Sequence, residues 1–207
     1  MKLYYAPGAC SLAPHIALEE SGLPYATERV DLRSHTFAGG ADYYTVNPKG
    51  YVPVLEVDSG ERLTEVAVIL QYIADRRPGT LAPEFGSLER YRVMEWLNFV
   101  ATEIHKGLSP LWKPTTPDAY KAIILENVGS RFDHVVESLG DRSYVMGDRF
   151  TIVDAYLFTI VNWHNFLKFD LARWPKLDAY QARVAARPAV QAVLKAEHLL
   201  KPAAKAA

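Results

Sequence analysis

The sequence predicts two architectures in series, a small α/β unit followed by an all-helical one. Up to about residue 78 the apolar pattern keeps switching between the two-residue period of strands and the 3.6-residue period of helices. Residues 79–87 then turn to Gly, Pro and Ser with few apolar side chains, the composition of a linker. From residue 88 onward strand patterns vanish and helical apolar spacing takes over. The division expected is therefore 1–78, a linker at 79–87, and 88–207.

Each element has a local cause. Lys2 to Ala6 is a short apolar strand, and Pro7-Gly8-Ala9 turns the chain into a helix from Ser11 to Gly22, closed by its glycine. Ala26 to Asp31 alternates as a strand, and Arg33 to Ala41 is polar and carries Gly39 and Gly40. A helical turn from Ala41 to about Val46 ends at Asn47-Pro48-Lys49-Gly50. Val52 to Val57 and Arg62 to Thr64 flank Asp58-Ser59-Gly60, a hairpin signal, and Val66 to about Arg76 is an amphipathic helix. The order β-α-β-α-β-β-α makes a small mixed sheet covered by helices. Beyond the linker, helices are predicted at Leu88 to Ser109, Pro117 to Leu139, Ile152 to Leu167, Pro175 to Ala186 and Ala189 to Leu199. Thr151-Ile152-Val153-Asp154 reads as a capping box, although its staple would pair Phe150 with the short Ala155. The Ala/Lys tail after Pro202 is expected to fray.

Composition narrows the function. With 49% hydrophobic residues, 23% charged and a net charge of −1, the chain has material for a packed core and no electrostatic footprint for nucleic acid or an anionic membrane. One cysteine forms no internal disulfide, the N-terminal apolar run breaks too early for a signal peptide, and no stretch of 18 apolar residues occurs, so a cytoplasmic protein is expected. Six histidines without a His-Glu-x-x-His pattern, and no cysteine cluster, give no reason to expect a metal.

Cys10 is the residue type and position that most suggests chemistry. At a helix N-terminus a thiol meets unpaired amide hydrogens and the positive end of the dipole, which favour the thiolate. Lowering a thiol pKa by about 2 units takes about 2.7 kcal/mol. One helix terminus supplies about 0.3 to 1 kcal/mol, rising to about 2 when partly buried. A second donor is therefore expected. The competing expectation is a small buried hydrophobe.

Two runs carry a family resemblance: Met1-Lys2-Leu3-Tyr4-Tyr5-Ala6-Pro7-Gly8-Ala9-Cys10-Ser11-Leu12-Ala13-Pro14-His15, and Asn47-Pro48-Lys49-Gly50-Tyr51-Val52-Pro53. With Glu65 opening a helix and a capping box deep in a helical second half, the whole chain resembles the glutathione S-transferases, and within them the bacterial Beta class. The resemblance implies a thioredoxin-like N-terminal domain that binds glutathione and an all-helical domain that completes the acceptor pocket. It implies a cis bond before Pro53, and a Val52 backbone that pairs with the cysteinyl part of glutathione as an added strand. Glu65 would meet the γ-glutamyl ammonium. Val66, where the family often has a hydroxyl, would offer only its helix-terminal amide to the γ-glutamyl carboxylate. His35, with Arg33 nearby, stands where a loop lysine often binds the glycyl carboxylate.

Asn98, Thr102, His105 and Lys106 fall at i, i+4, i+7 and i+8, one helical stripe able to face a common ligand. His105 matches the family histidine near sulfur and would be the second donor for Cys10. Glu103 lies off that stripe and, by the resemblance, would reach a neighbouring glutathione across a homodimer interface. Tyr4 and Tyr5 are either sulfur donors, as in other classes of the superfamily, or core. Trp112, Trp163 and Phe166 are either core or the wall of an apolar acceptor pocket.

The function implied is conjugation of glutathione, as co-substrate, to small electrophiles in detoxification, with Cys10 and His105 at the thiol. Cys10-Ser11-Leu12-Ala13 has no second thiol, which leaves a glutathione-dependent monothiol disulfide reductase or peroxidase as one alternative. A non-catalytic ligand carrier or interaction module, motivated by Val66 and His35, is the other. The identity of the electrophile is not readable from the sequence.

Overall fold

The computed structural model describes residues 1–167 and 169–200. The tail after Pro202 lies outside them. A six-stranded sheet runs in the order β4-β3-β2-β1-β5-β6. The central strand β1 (Lys2–Tyr5) pairs in parallel with β2 (Ala26–Asp31) and antiparallel with β5 (Val54–Glu56), which continues through the predicted turn into β6 (Arg62–Leu63). Helix α1 (Leu12–Ser21) forms the crossover between β1 and β2 and ends at Gly22, whose φ of 64° is the left-handed cap the sequence predicts. Helix α2 (Val66–Asp75) closes this unit.

The two-residue strand period sorts side chains into two clusters. Leu3 and Leu55 face α1, α2 and the helical second half, whereas Tyr4, Val30 and Val54 face away and pack with Tyr43 and Val52. Tyr4 is thus a core residue, its ring 5.7 Å from Phe37 and 6.0 Å from Tyr43, and Tyr5 lies against His15 at 5.4 Å. The sulfur-donor reading of both tyrosines has no contact behind it.

Three stretches differ from expectation. The polar stretch forms two short strands, β3 (Thr36–Phe37) and β4 (Ala41–Asp42), that extend the sheet edge. The helical turn shrinks to a 3₁₀ turn at Tyr43–Thr45, because Asp42 receives the Tyr44 amide at 2.9 Å and so starts it two residues late. The linker is tied down: Leu81 and Ala82 are buried, and the Leu81 carbonyl accepts from the Ile152 amide at 3.0 Å.

The second half holds α3 (Leu88–Phe99), which runs through a π-helical segment (Val100–His105) into α4 (Lys106–Leu108) and a 3₁₀ turn (Ser109–Trp112). Then follow α5 (Asp118–Leu139), α6 (Ile152–Val161), α7 (His164–Leu167), α8 (Pro175–Ala185) and α9 (Pro188–Ala196). The single helix expected from Ile152 to Leu167 breaks after Val161. There the Asn165 amide group donates to both Asn162 oxygens at 3.1 and 3.0 Å, a local bond that competes with helix continuation. The capping box is present, and Asp154 adds bonds from the Val145 amide (2.9 Å) and the Tyr180 hydroxyl (3.0 Å). Phe150 packs not on Ala155 but edge-on to Tyr144, with the Arg187 guanidinium 4.3 Å above its ring.

Helix α1 lies against α2, α6 and α9, so one apolar core runs from Leu3 and Ile16 through Ile69 and Leu97 to Tyr156 and Val190. Among the described residues no helix is long and apolar enough to cross a membrane.

Candidate active site

A cleft of about 1030 Å³ opens between the sheet unit and the helices. Its floor is the turn after β1, Ala6 to Cys10, together with Val52, Pro53, Glu65 and Val66; its far wall is His105, Lys106, Trp112, Tyr156, Trp163 and Phe166. The Val52-Pro53 peptide is cis, as the sequence resemblance implies.

Cys10 is half-buried, and its Sγ donates to the Val52 carbonyl at 3.3 Å. Burial pushes the thiol up to about 12; the amides of Cys10 and Ser11 pull the other way, and the Glu65 carboxylate adds to the rise. The amides that sequence reasoning expected are there, but the cost of desolvating an anion outweighs them. Cys10 is therefore a neutral hydrogen-bond donor here, not a thiolate.

His105 brings no positive charge to the sulfur. Burial, and then the neighbouring Lys106, hold its imidazole down to about 4, against a smaller opposing pull from Glu65. Its Nδ1 lies 2.7 Å from the hydroxyl of Tyr156, whose phenol is pushed up by burial and so stays protonated. When Tyr156 donates to Nδ1, Nε2 carries the proton and is a donor; in the other tautomer Nε2 is an acceptor. Tyr156 went unrecognised in the sequence because it sits in an unbroken apolar run.

The π-helical segment corrects the stripe. An i→i+5 turn inserts a residue into the helical register, so residues on either side of it no longer share one face. Ala101, His105 and Lys106 line the cleft. Thr102 and Glu103 instead line a separate hollow of about 280 Å³ with Arg131, and Asn98 lines neither. Thr102 Oγ1 donates to the Asn98 carbonyl at 3.0 Å, and the Glu103 carboxylate pairs with Arg131 at 2.8 Å.

His35 is also displaced from its expected role. At a φ of 53° its ring leans on Tyr44 (4.8 Å) and crowds Gly50, and it does not line the cleft; its Nδ1 is buried without a hydrogen-bond partner. Arg33 is exposed and likewise off the cleft. The cation at that end is Lys49, whose Nζ donates to Glu65 at 2.6 Å and Thr64 at 3.2 Å. Within Asn47-Pro48-Lys49-Gly50 it reads only as turn chemistry. Glu65 precedes α2 at a φ of 69°, a left-handed conformation rare for a residue with a Cβ, and its carbonyl accepts from Val68 and Ile69. Val66 is buried in the first turn of α2, with its surface on the cleft.

The aromatic trio does form a wall. Trp163 stands edge-on to His105 (5.0 Å) and to Trp112 (5.3 Å), and its Nε1 donates to the Gly8 carbonyl at 2.9 Å. The Gly8 amide donates to Glu197 at 2.9 Å, and the other Glu197 oxygen lies 2.7 Å from His15 Nδ1. Gly8, at a φ of 71° with Phe166 3.2 Å from where a Cβ would stand, is thus held on both sides by the helical half. Among the described residues no cluster of His, Cys, Asp or Glu fit for a metal occurs.

Family models of the glutathione S-transferase N-terminal domain and C-terminal domain match residues 8–76 and 99–188. The chain is 47% identical over 201 residues to glutathione S-transferase GstA of Escherichia coli O157:H7, covering 96% of this chain and 100% of that protein. It is 37% identical to glutathione S-transferase GST-4.5 of Xanthomonas campestris, covering 96% and 100%. Among solved structures, the ternary complex of BphK, a bacterial glutathione transferase, superposes with a TM-score of 0.94 at 48% identity, covering 96% of this chain and 100% of that one. A sphingomonad glutathione S-transferase complexed with glutathione gives 0.92 at 46%, covering 97% and 100%.

Proposed function

The chain belongs to the glutathione S-transferase family, and from that premise we propose that it joins the thiol of glutathione to small electrophiles in this cleft. The observation that carries the reading is the convergence of Cys10, Val52-Pro53 and Glu65-Val66 on one floor, facing His105 and an aromatic wall. The thioredoxin-like unit, 1–78, would bind glutathione: Val52 through its backbone, Glu65 at the ammonium, and the first amides of α2 at the γ-glutamyl carboxylate, with Lys106 and Lys49 supplying positive charge. The linker, 79–87, joins it to the helical unit, 88–207, which supplies the acceptor wall. Similarity to a sphingomonad transferase complexed with glutathione supports this assignment.

In the reaction a carbon–sulfur bond forms, the leaving group departs with its bonding electron pair, and the thiol proton passes to solvent. Cys10 and the neutral His105–Tyr156 pair are the polar groups assigned to hold sulfur there. Glutathione would have to take the place of the Cys10 bond to the Val52 carbonyl, or share that carbonyl. Calorimetry with glutathione tests the binding, and absence of heat at millimolar ligand would overturn it. Cys10→Ala is expected to retain conjugation while losing any mixed-disulfide exchange; loss of conjugation together with retained binding would assign catalysis to the Cys10 sulfur itself.

A homodimer is part of the proposal. Phe85, Leu88 and Tyr91, three residues apart, are all more than half exposed, a patch suited to a second copy. Glu103 and Arg131 line the hollow where that copy's glutathione would be met. Sedimentation of the purified chain near 46 kDa rather than 23.2 kDa is expected, about twice the chain mass.

A further inference from the structure

We infer that Tyr156 is a positioning residue of this site: its hydroxyl donates to His105 Nδ1 and so commits the imidazole to the tautomer that offers Nε2–H to the cleft as a fixed donor. This rests on the transferase reading and adds to it the way His105 acts, as a hydrogen-bond donor and not as a base.

The His105 ring is held from three sides. The Ser109 hydroxyl donates to the His105 carbonyl at 2.9 Å, the Trp163 ring stands edge-on at 5.0 Å, and Tyr156 Oη lies 2.7 Å from Nδ1. Trp163 is tied in turn to the Gly8 carbonyl. Tyr156 stands on α6 just after the buried Asp154, which is fastened to Val145 and Tyr180, so the phenol is anchored as firmly as the ring it meets.

Two proton arrangements fit the short contact, and they leave different groups unmet. If Nδ1 carried the proton and donated to Tyr156, the phenol's own hydrogen would need a second acceptor, and the hydroxyl has no other protein partner among the described residues. Tyr156 is only 2% exposed, and a buried donor left without a partner is costly. If Tyr156 donates instead, its hydrogen is used and the imidazole hydrogen sits on Nε2. That nitrogen has no protein partner among the described residues, yet it is not sealed from solvent; it opens on the cleft that His105 lines, where a ligand can accept from it. Acidity points the same way. A phenol is a stronger acid than a neutral imidazole N–H, and an imidazole nitrogen is a stronger base than a phenol oxygen. Neither group changes charge near neutral pH, because burial holds the phenol up and the imidazole down to about 4. Tyr156 also touches the cleft, so the rival arrangement is one in which it turns its hydrogen to a ligand and accepts from Nδ1.

The tautomer decides the chemistry. A bare Nε2 could take the thiol proton of glutathione. A protonated Nε2 can only donate to the sulfur as it becomes an anion, while the thiol proton passes to solvent and the imidazole stays neutral throughout. An aimed N–H on a rigid ring stabilises that charge without first having to reorient.

Heteronuclear NMR of the chain isotopically labelled at its histidine nitrogens, near neutral pH and without glutathione, reads the tautomer. The His105 signals are those lost in His105→Asn. A bare ring nitrogen resonates far downfield of a protonated one, and couplings to the ring protons tell Nδ1 from Nε2. The wild type is expected to show a bare Nδ1 and a protonated Nε2. In Tyr156→Phe the His105 signals should move towards the averaged values of two exchanging tautomers, and kcat with glutathione and chlorodinitrobenzene should fall about tenfold at an unchanged KM for glutathione. A wild-type ring protonated at Nδ1 overturns the inference, as does a Tyr156→Phe protein that keeps either the wild-type His105 signals or the wild-type kcat; both leave the transferase reading intact. If Tyr156→Phe does not fold, the wild-type spectrum decides alone. If the chain neither binds glutathione nor turns over the two compounds, the transferase reading fails, and the spectrum still tells whether Tyr156 holds the tautomer.

Discussion

At Cys10 two effects of similar origin compete. Amide dipoles favour the anion and burial disfavours it, and burial prevails, lifting the thiol from 9.0 to about 12. At pH 8 this leaves about a thousandfold less thiolate than an unshifted thiol would have. Alkylation of the ligand-free protein by iodoacetamide should accordingly run at least tenfold slower than that of free glutathione, followed by mass spectrometry. His105 gives the matching statement on the acid side. Its folded pKa is depressed to about 4 from 6.5, so between those values the unfolded chain takes up a proton that the folded one refuses. Stability should therefore fall as pH drops from about 6.5 towards 4, by about 3 kcal/mol at most, and by less because the ring is partly solvated. Urea unfolding of His105→Asn should have a shallower loss over the same window. Both residues stand out in the sequence as candidates, Cys10 from its place after a strand and His105 from the family resemblance. Their protonation does not, because it depends on desolvation by Tyr156, Trp163 and Val52, residues at least 42 positions away in the chain.

Among the elements, local rules succeeded where the bond closes within a few residues. Gly22, the Asp58-Ser59-Gly60 hairpin and the Thr151–Asp154 box all form as their chemistry demands. Asp154 exceeds an ordinary cap: it accepts from Thr151, Val145 and Tyr180 while fully buried. Asp154→Ala should thus cost about 3 kcal/mol or more, leaving several donors unanswered, and Thr151→Ala about 1, both measured by denaturant midpoint. The π-helical segment had no such signature. Val100 to His105 has ordinary helical composition, and the segment packs against α5 and α6, which lie far from it in the sequence. That single inserted residue moved Asn98 and Thr102 off the face the sequence assigned them.

Taken whole, the molecule does not separate at its linker. The apolar core is continuous, Arg187 grips Glu20 with two bonds of 2.5 and 2.8 Å, and Arg90 pairs with Asp75 at 2.9 Å. Glu197 is the most consequential of these ties, since it is nearly inaccessible and answers both Gly8 and His15. Glu197→Ala should lower stability by about 2 to 4 kcal/mol, through a buried amide and a ring nitrogen left without an acceptor, while Glu197→Gln should recover part of the loss. Thermal unfolding of the three proteins checks the order. The partners of Gly8 stand 155 and 189 residues further along. During translation, the loop bearing the thiol thus leaves the ribosome long before the groups that grip it. Its final shape must wait for the last helix to emerge, so a nascent chain arrested short of that helix would expose an unfinished loop to chaperones and proteases.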